Sequence, residues 1–388
     1  MVDADPIERV NTGGRFVVAR AFVALSVAMG LGRFAFTPIL PLMLDQAGLR
    51  PESAATLATA NYLGYLAGAV AAIAVHRIAQ SVLVLRVSLV TLVATVAAMA
   101  ATESVAGWLA LRFVAGVASA AVFVFTTRVA HQRVRGDGDG VGWVFGGVGG
   151  GIVLSAVAVL ALGETANWRV AWLVSAALAA VLAVVAWTLP GEPRTAVPTR
   201  VRQLAAPPAA RRAFAWLTVA YFCEGLGYIV SATFLVAAVA AAGSAHWLGS
   251  AVWIAVGVAV VPSCVLWMRL ARRYSPASAM TAALVLQAAA VAVSAVIGAG
   301  VVQMVSALCF GGTMIAIVML ALGEGARLTG PRAAAILTSV YGLGQVLGPL
   351  AVAPLLGGGY SAALGAAAAV LAVGALCTIP VLRAERAA

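Results

Sequence analysis

Residues 17–43 read VVARAFVALSVAMGLGRFAFTPILPLM, and only Arg20 and Arg33 interrupt this apolar run with a charge. About 20 apolar residues in a helix are enough to cross the hydrocarbon core of a bilayer. The run is too long and carries too much arginine for a cleaved signal peptide. We therefore predict that it is the first of several membrane spans.

The same apolar pattern continues along the whole chain. Its 388 residues are 63% hydrophobic and 10% charged, with a mean hydropathy of +1.05, whereas soluble domains carry roughly 25% charged residues. Twelve spans are predicted, at 17–43, 54–76, 81–102, 106–130, 140–162, 168–190, 213–239, 247–269, 277–299, 301–324, 333–355 and 359–382. The expected fold class is an all-α integral membrane protein.

All 24 basic residues are arginine, and they alternate with the predicted spans. Twenty lie on the side that holds both termini, two (Arg50 and Arg169) lie on the other side, and Arg33 and Arg112 lie within spans. Positively charged loops stay in the cytoplasm. Both termini are therefore predicted to be cytoplasmic, and the side that holds them is called the Arg-rich side below.

Glycine motifs of the first half recur in the second half at one constant offset. Gly30-Leu31-Gly32 returns as Gly225-Leu226-Gly227, and Gly116 returns as Gly311, both 195 residues later. A third segment, at 147–149, matches 342–344 at the same offset. The repeat predicts two pseudo-symmetric six-helix bundles with a substrate site between them.

The predicted organisation has four parts. It consists of a cytoplasmic tail at 1–16, a first bundle at 17–190, a proline-rich cytoplasmic linker at 191–212 and a second bundle at 213–388.

Four segments carry a resemblance to a known family: GLGRFAFTPILPLM (30–43), ANYLGYLAGA (60–69), EGLGYIVSATFL (224–235) and YGLGQVLGP (341–349). With the two six-span halves, and with Arg112 followed by spaced small residues, they resemble the major facilitator superfamily and its bacterial YbfB/YjiJ-like subgroup. The resemblance implies the major facilitator fold and a secondary transporter in the bacterial inner membrane. Span 5 lacks the Gly-Pro pair of the superfamily's antiporter signature, and the loop at 76–81 lacks the usual aspartate.

Charged residues inside spans are the sharpest functional signal, because a charge at the bilayer centre usually faces a cavity or a partner. Glu224 is read as the only carboxylate deep inside a span. It is predicted to couple transport to protons, with Arg112 modulating it, and a structural ion pair or hydrogen bond is the alternative. Arg33 stays ionised, so we predict that it binds substrate, with a structural pair as the alternative.

Polar side chains also share helix faces at helical spacing. Tyr221, Glu224, Tyr228 and Ser231 form one stripe in span 7. Asn61 and Tyr65 share a face of span 2. Thr338, Tyr341 and Gln345 share a face of span 11. The predicted substrate-binding residues are Arg33, Asn61, Tyr65, Tyr221, Tyr228, Thr338, Tyr341 and Gln345, although each could instead hydrogen-bond neighbouring helices.

The predicted function is a secondary transporter that moves a small organic solute by alternating access with proton coupling. The solute is expected to be anionic or strongly polar. Drug or metabolite efflux is the alternative within this class, and a membrane sensor or an integral-membrane enzyme is the alternative outside it. The absence of lysine excludes a P-loop, and the arginine pattern argues against nucleic acid. Cofactors, metals and catalytic residues are not expected, and the expected partners are the solute, protons and lipid around a monomer.

Overall fold

The computed structural model describes residues 6–75, 77, 80–134, 139–163, 167–191, 207–243, 245–297, 300–330 and 332–386. Twelve helices in this part of the chain are long and apolar enough to cross a membrane. These spans 1 to 12 are Gly14–Gln46, Pro51–Ala74, Val82–Ala101, Val105–Arg133, Gly140–Leu162, Trp168–Ala186, Pro208–Ala241, Trp247–Arg273, Pro276–Val296, Gly300–Thr329, Ala333–Gly358 and Tyr360–Arg386.

The predicted all-α class and the count of twelve spans are confirmed. The ends differ by a few residues in both directions: the first span runs from Gly14 to Gln46, beyond the predicted 17–43, whereas the sixth ends at Ala186 instead of at 190. The first helix begins at Pro6, ahead of the first predicted span and within the predicted tail. Most of the predicted linker, residues 192–206, lies outside the described residues, and the helix that follows begins at Pro208.

One pair of the glycine repeat, Gly116 and Gly311, lies at equivalent helix crossings in the two halves. A Cβ on Gly116 in span 4 would lie 2.1 Å from the carbonyl oxygen of Asn61 in span 2. A Cβ on Gly311 in span 10 would lie 2.2 Å from the carbonyl oxygen of Val256 in span 8. Both members of this contact are displaced by 195 residues. Glycine is therefore needed at both positions to let two backbones approach closely.

Span 1 is interrupted near its middle. The helix Pro6–Leu25 continues as a π-helical turn at Ser26–Leu31, and a regular helix resumes only at Phe36–Gln46. The carbonyls freed by this break are satisfied from span 4, where Arg112 reaches the oxygens of Gly32 and Arg33. An irregular backbone inside a membrane is tolerated only with such protein partners.

Span 5 holds the two halves together through its glycine-rich face. Gly147 and Gly151 pack against the backbone of span 1. On its other side, a Cβ on Gly149 would lie 2.4 Å from the carbonyl oxygen of Gly257 in span 8. Span 2 packs against span 11, and the second part of span 1 packs against span 7. The interface between the halves is therefore built from spans 1, 2, 5, 7, 8 and 11.

Candidate functional site

Arg33 lies at the break of span 1 and points toward the second half. Its side chain is buried, and its Nη2 donates a hydrogen bond of 2.8 Å to Oε1 of Gln345 in span 11. The guanidinium carbon lies 4.7 Å from the ring centroids of both Tyr62 and Tyr65. No carboxylate of the described residues pairs with it. This buried cation is held by ring faces and one neutral amide.

A column of tyrosines continues from this arginine into the second half. Gln345 Nε2 donates to the Tyr228 hydroxyl over 2.6 Å. The Tyr228 ring stacks on Tyr341 with centroids 5.6 Å apart, and Tyr341 stacks on Tyr221 at 4.4 Å. Four predicted residues of spans 7 and 11 are thus brought together next to Arg33, where the two halves meet.

Glu224 is completely buried, and it faces a different neighbour. Its Oε1 accepts a hydrogen bond of 3.3 Å from Nε2 of Gln287 in span 9. Its Oε2 has no hydrogen-bond partner among the described residues, and no arginine of those residues pairs with it. A structural ion pair for Glu224 therefore finds no support within the described chain, whereas the alternative of a structural hydrogen bond is compatible with the Gln287 contact.

The predicted stripe of span 7 divides into two faces. Tyr221 and Tyr228 face span 11, whereas Glu224 contacts span 9, and the hydroxyl of Ser231 has no hydrogen-bond partner among the described residues. Steps of three residues along a helix rotate each side chain by roughly 300°, so members of a stripe drift around the helix. Glu224 consequently lies behind the tyrosine column rather than in it.

The other predicted residues have more local contacts. Arg112 donates to the carbonyl oxygens of Gly32 and Arg33, at 3.3 and 3.2 Å, and lies 4.9 Å from the Phe36 ring centroid. Asn61 donates to the carbonyl oxygen of Arg112 over 2.9 Å. Thr338 is half-buried on span 11, one turn before Tyr341. The modulation of Glu224 by Arg112 stays a prediction.

The structure adds a second buried carboxylate, which lies near the end of a span and which the sequence did not single out. The side chain of Glu324 is also fully buried, and Arg327 pairs with it over 2.6 Å. Glu324 stands at the predicted end of span 10, but the helix continues to Thr329. The hydropathy pattern predicts that Glu324 lies at the membrane–water interface, because the residues that follow it in the last helical turn are polar.

The sequence reasoning also missed Tyr62, Thr37 and Gln287. Tyr62 flanks Arg33, and its hydroxyl lies 2.8 Å from that of Thr233. Thr37 donates to the carbonyl oxygen of Ala232 over 2.6 Å. Thr37 and Ala232 differ by 195 residues, so equivalent positions of the two halves contact each other. These contacts join the two halves toward the side opposite the Arg-rich side.

A cavity of about 1030 Å³ lies between the halves toward the Arg-rich side. Its lining comes from the ends of spans 4, 5, 8, 9, 10 and 11 that face that side, and includes Phe145, Met268, Met319 and Glu324. Phe145 contacts Phe123 edge-on, and Phe123 contacts Tyr65 in the same manner. A series of rings therefore leads from the cavity to Arg33.

Twelve spans in two similar halves, with a polar centre and a cavity open toward one side, define a secondary transporter of the major facilitator type. The chain matches the family described as "Uncharacterised MFS-type transporter YbfB" over residues 25–379, and it belongs to that family. No curated protein gives a significant match.

Among solved structures, the chain is similar to the crystal structure of a point mutant of the nucleoside transporter NupG. The TM-score is 0.73 at 12% identity, with 94% of this chain and 99% of that chain covered. At this identity the similarity shows the fold alone.

Proposed function

We propose that this protein moves a small organic solute across the bacterial inner membrane by alternating access, with transport coupled to protons. The observation that carries the proposal is the bridge from Arg33 to Gln345 between spans 1 and 11. A cation buried between the two halves, without a carboxylate partner in the described chain, leaves a place for an anionic or strongly polar solute.

The tyrosine column would form one wall of that solute site. The outer faces of the two terminal rings, Tyr221 and Tyr228, offer flat apolar surface, and hydroxyls and the Gln345 amide offer hydrogen bonds at the ring edges. A solute that displaced Gln345 from Arg33 would bring a negative group to the guanidinium. Binding would then change the contacts between spans 1 and 11, and a solute shifts a conformational equilibrium only through such differential contacts.

Glu224 is proposed as the group that carries the proton. Within the described chain it has one amide partner and no cationic partner, so its neutral form suits the buried position and its ionised form does not. Protonation would therefore favour conformations in which span 7 is closed against its neighbours. Arg112 would act on this step only through its charge.

The orientation proposed from the arginine bias places both termini in the cytoplasm. In that orientation the cavity between the halves opens to the cytoplasm, and the contacts Thr37–Ala232 and Tyr62–Thr233 close the periplasmic side. The structure would then represent an inward-facing conformation in which Asp139 of span 5 and Arg269 of span 8 still link the halves at one edge of the cavity. A solute path inside one chain requires no oligomer, so we propose a monomer of two bundles, 17–190 and 213–388.

Efflux of a cationic drug or metabolite is the second candidate. The outer faces of Tyr221 and Tyr228, which do not stack on Tyr341, would attract a cation, and Glu224 lies behind them. The two candidates differ in the sign of charge that the site accepts, and this difference is open to direct measurement.

The test is a thermal-shift panel of organic anions, neutral polar solutes and organic cations on the purified protein, followed by counterflow of the hits in proteoliposomes. The proposal expects anionic or polar hits whose shift is lost in Arg33→Gln and kept in Arg50→Gln, an exposed arginine outside the site. Hits limited to cations would favour efflux. A flat panel, or hits without counterflow, would favour a sensor and contradict the proposal.

A further inference from the structure

Three arginines from different spans converge on the end of span 6. Arg20 donates to the carbonyl oxygen of Thr188 over 3.4 Å, and Arg133 donates to that of Gly191 over 3.0 and 2.6 Å. The guanidinium of Arg86 lies 5.2 Å from the Trp187 ring centroid. We call these three residues the arginine cluster. It lies at the Arg-rich side of the first half.

The positive charge of the arginine cluster is not neutralised within the described residues, and some of its hydrogen-bond donors are unfilled there. Cations next to the carbonyl end of a helix are favourable, which accounts for the contacts of Arg20 and Arg133. Each guanidinium has five donors, however, and Nε of Arg86 has no hydrogen-bond partner among the described residues. No carboxylate in that part of the chain pairs with any of the three.

An apolar groove of about 530 Å³ runs from this cluster along the outer surface between spans 3 and 6. Its lining includes Val90, Ala94, Val184, Trp187 and Thr188. From Ala180 to Thr188 it follows span 6 for roughly 12 Å at the helical rise. Ala183 is buried in the groove, and Val90 and Val184 are exposed along it. A shallow apolar groove of this kind on the lipid-facing surface can accommodate an acyl chain.

The second half contains the matching groove without the arginines. It has a volume of about 670 Å³ and includes Val285, Ala289 and Ile379, which correspond to Val90, Ala94 and Val184 at the offset of 195. At the positions of Arg20, Arg86 and Arg133 this half has Ala215, Thr281 and Leu328. Arg383 corresponds to Thr188 but does not line the second groove.

We propose that the groove of the first half binds one anionic phospholipid, with an acyl chain between spans 3 and 6 and the phosphate at the arginine cluster. Tryptophan at the end of the groove suits the level of the headgroups, and arginine forms bidentate hydrogen bonds with phosphate. The groove of the second half takes lipid without selecting an anionic headgroup.

The test uses purified full-length protein titrated with phosphatidylglycerol or with phosphatidylcholine of the same acyl chains. Retained lipid is counted by native mass spectrometry, and the unfolding midpoint is recorded. Wild type is expected to retain one phosphatidylglycerol in preference to phosphatidylcholine. Arg86→Gln should weaken this preference about fivefold, and Ala94→Phe, which fills the groove, should abolish it.

Ala289→Phe is the matched control, because both alanines are exposed at equivalent positions. It should retain the phosphatidylglycerol preference. If Arg86→Gln has a lower unfolding midpoint than wild type in phosphatidylcholine, the protein itself is destabilised, and Arg20→Gln is used in its place. Unchanged preference in both Ala94→Phe and the arginine variant would overturn the proposal. The proposal would also be overturned if Ala289→Phe lost as much phosphatidylglycerol preference as Ala94→Phe. It would be overturned too if inorganic phosphate shifted the unfolding midpoint as much as phosphatidylglycerol does.

Discussion

Arg33 and Arg112 are both buried cations, yet their guanidinium groups have different kinds of partner. Arg112 binds two main-chain carbonyls within its own half, at the point where the helix of span 1 is broken. Arg33 binds a side-chain amide of the opposite half and two ring faces. The first arrangement stabilises a fixed backbone, and the second can be exchanged for a ligand.

This difference predicts different effects on stability. Arg112→Gln should lower the unfolding temperature by more than Arg33→Gln. Hydrogen bonds from a charged donor contribute roughly 1.5–3 kcal/mol each, and the carbonyls of Gly32 and Arg33 at the helix break would lose their bonds to Arg112. Removing Arg33 also removes the cost of burying its charge. Thermal unfolding in detergent measures both variants. An equal or larger loss in Arg33→Gln would show that Arg33 is structural.

At the scale of the helices, glycine decides how closely the spans pack. Gly311 and Gly312 are neighbours in span 10, but their surroundings differ completely. A Cβ on Gly311 would lie 2.2 Å from the carbonyl oxygen of Val256, whereas a Cβ on Gly312 would contact nothing within 4 Å. The neighbour of Gly311 is backbone, which cannot move aside without shifting span 8.

Gly311→Ala should therefore destabilise the protein by about 1–3 kcal/mol, as overpacking does. Gly312→Ala, the adjacent control, should leave stability unchanged or slightly improved. The unfolding temperatures of the two variants in the same detergent provide the comparison. Similar temperatures for both would contradict the close crossing of spans 8 and 10.

The helices themselves were predictable because hydropathy and length report directly on the bilayer. The break in span 1 was not, because it depends on Arg112 and Ser119, whose side chains bond carbonyls of another span. The same limit applies to the site. Spacing indicated that Tyr221, Tyr228, Tyr341 and Gln345 are interior, but only the packing of two halves brings them to Arg33.

At the scale of the whole molecule, the halves are also joined on the Arg-rich side. Asp139, at the start of span 5, accepts hydrogen bonds from Arg269 Nε over 2.8 Å and from Arg272 Nη2 over 2.6 Å at the end of span 8. These two guanidiniums hold the pKa of Asp139 below its usual range. The contact is exposed to water, so it is suited to break and reform during transport.

Loss of this contact should let the two halves separate on that side. In Asp139→Asn, pulsed EPR distances between labels at Trp143→Cys and Tyr274→Cys, with the native cysteines replaced by alanine, should become longer or broader. Because the pKa of Asp139 is lowered in the folded protein, its contact with the arginines contributes its full stability at pH values above the unfolded pKa of about 3.9. That stability is lost as the pH falls through the lower folded pKa. The labelled protein that keeps Asp139 should therefore give the same distances between the two labels from about pH 5 to about pH 9.

Unchanged distances in Asp139→Asn, or a drift of the parent distances within that pH range, would contradict this role of Asp139. High salt is expected to weaken the contact as well, because the charges are exposed.

Accumulation of a transported solute in proteoliposomes under an imposed pH gradient tests the proposed proton coupling most directly. Glu224→Gln keeps the size of the side chain and an oxygen that can accept the hydrogen bond from Gln287, but it cannot bind and release a proton. We predict gradient-driven accumulation in wild type, and counterflow without accumulation in Glu224→Gln. Full accumulation by Glu224→Gln would contradict the role of Glu224 as the proton carrier.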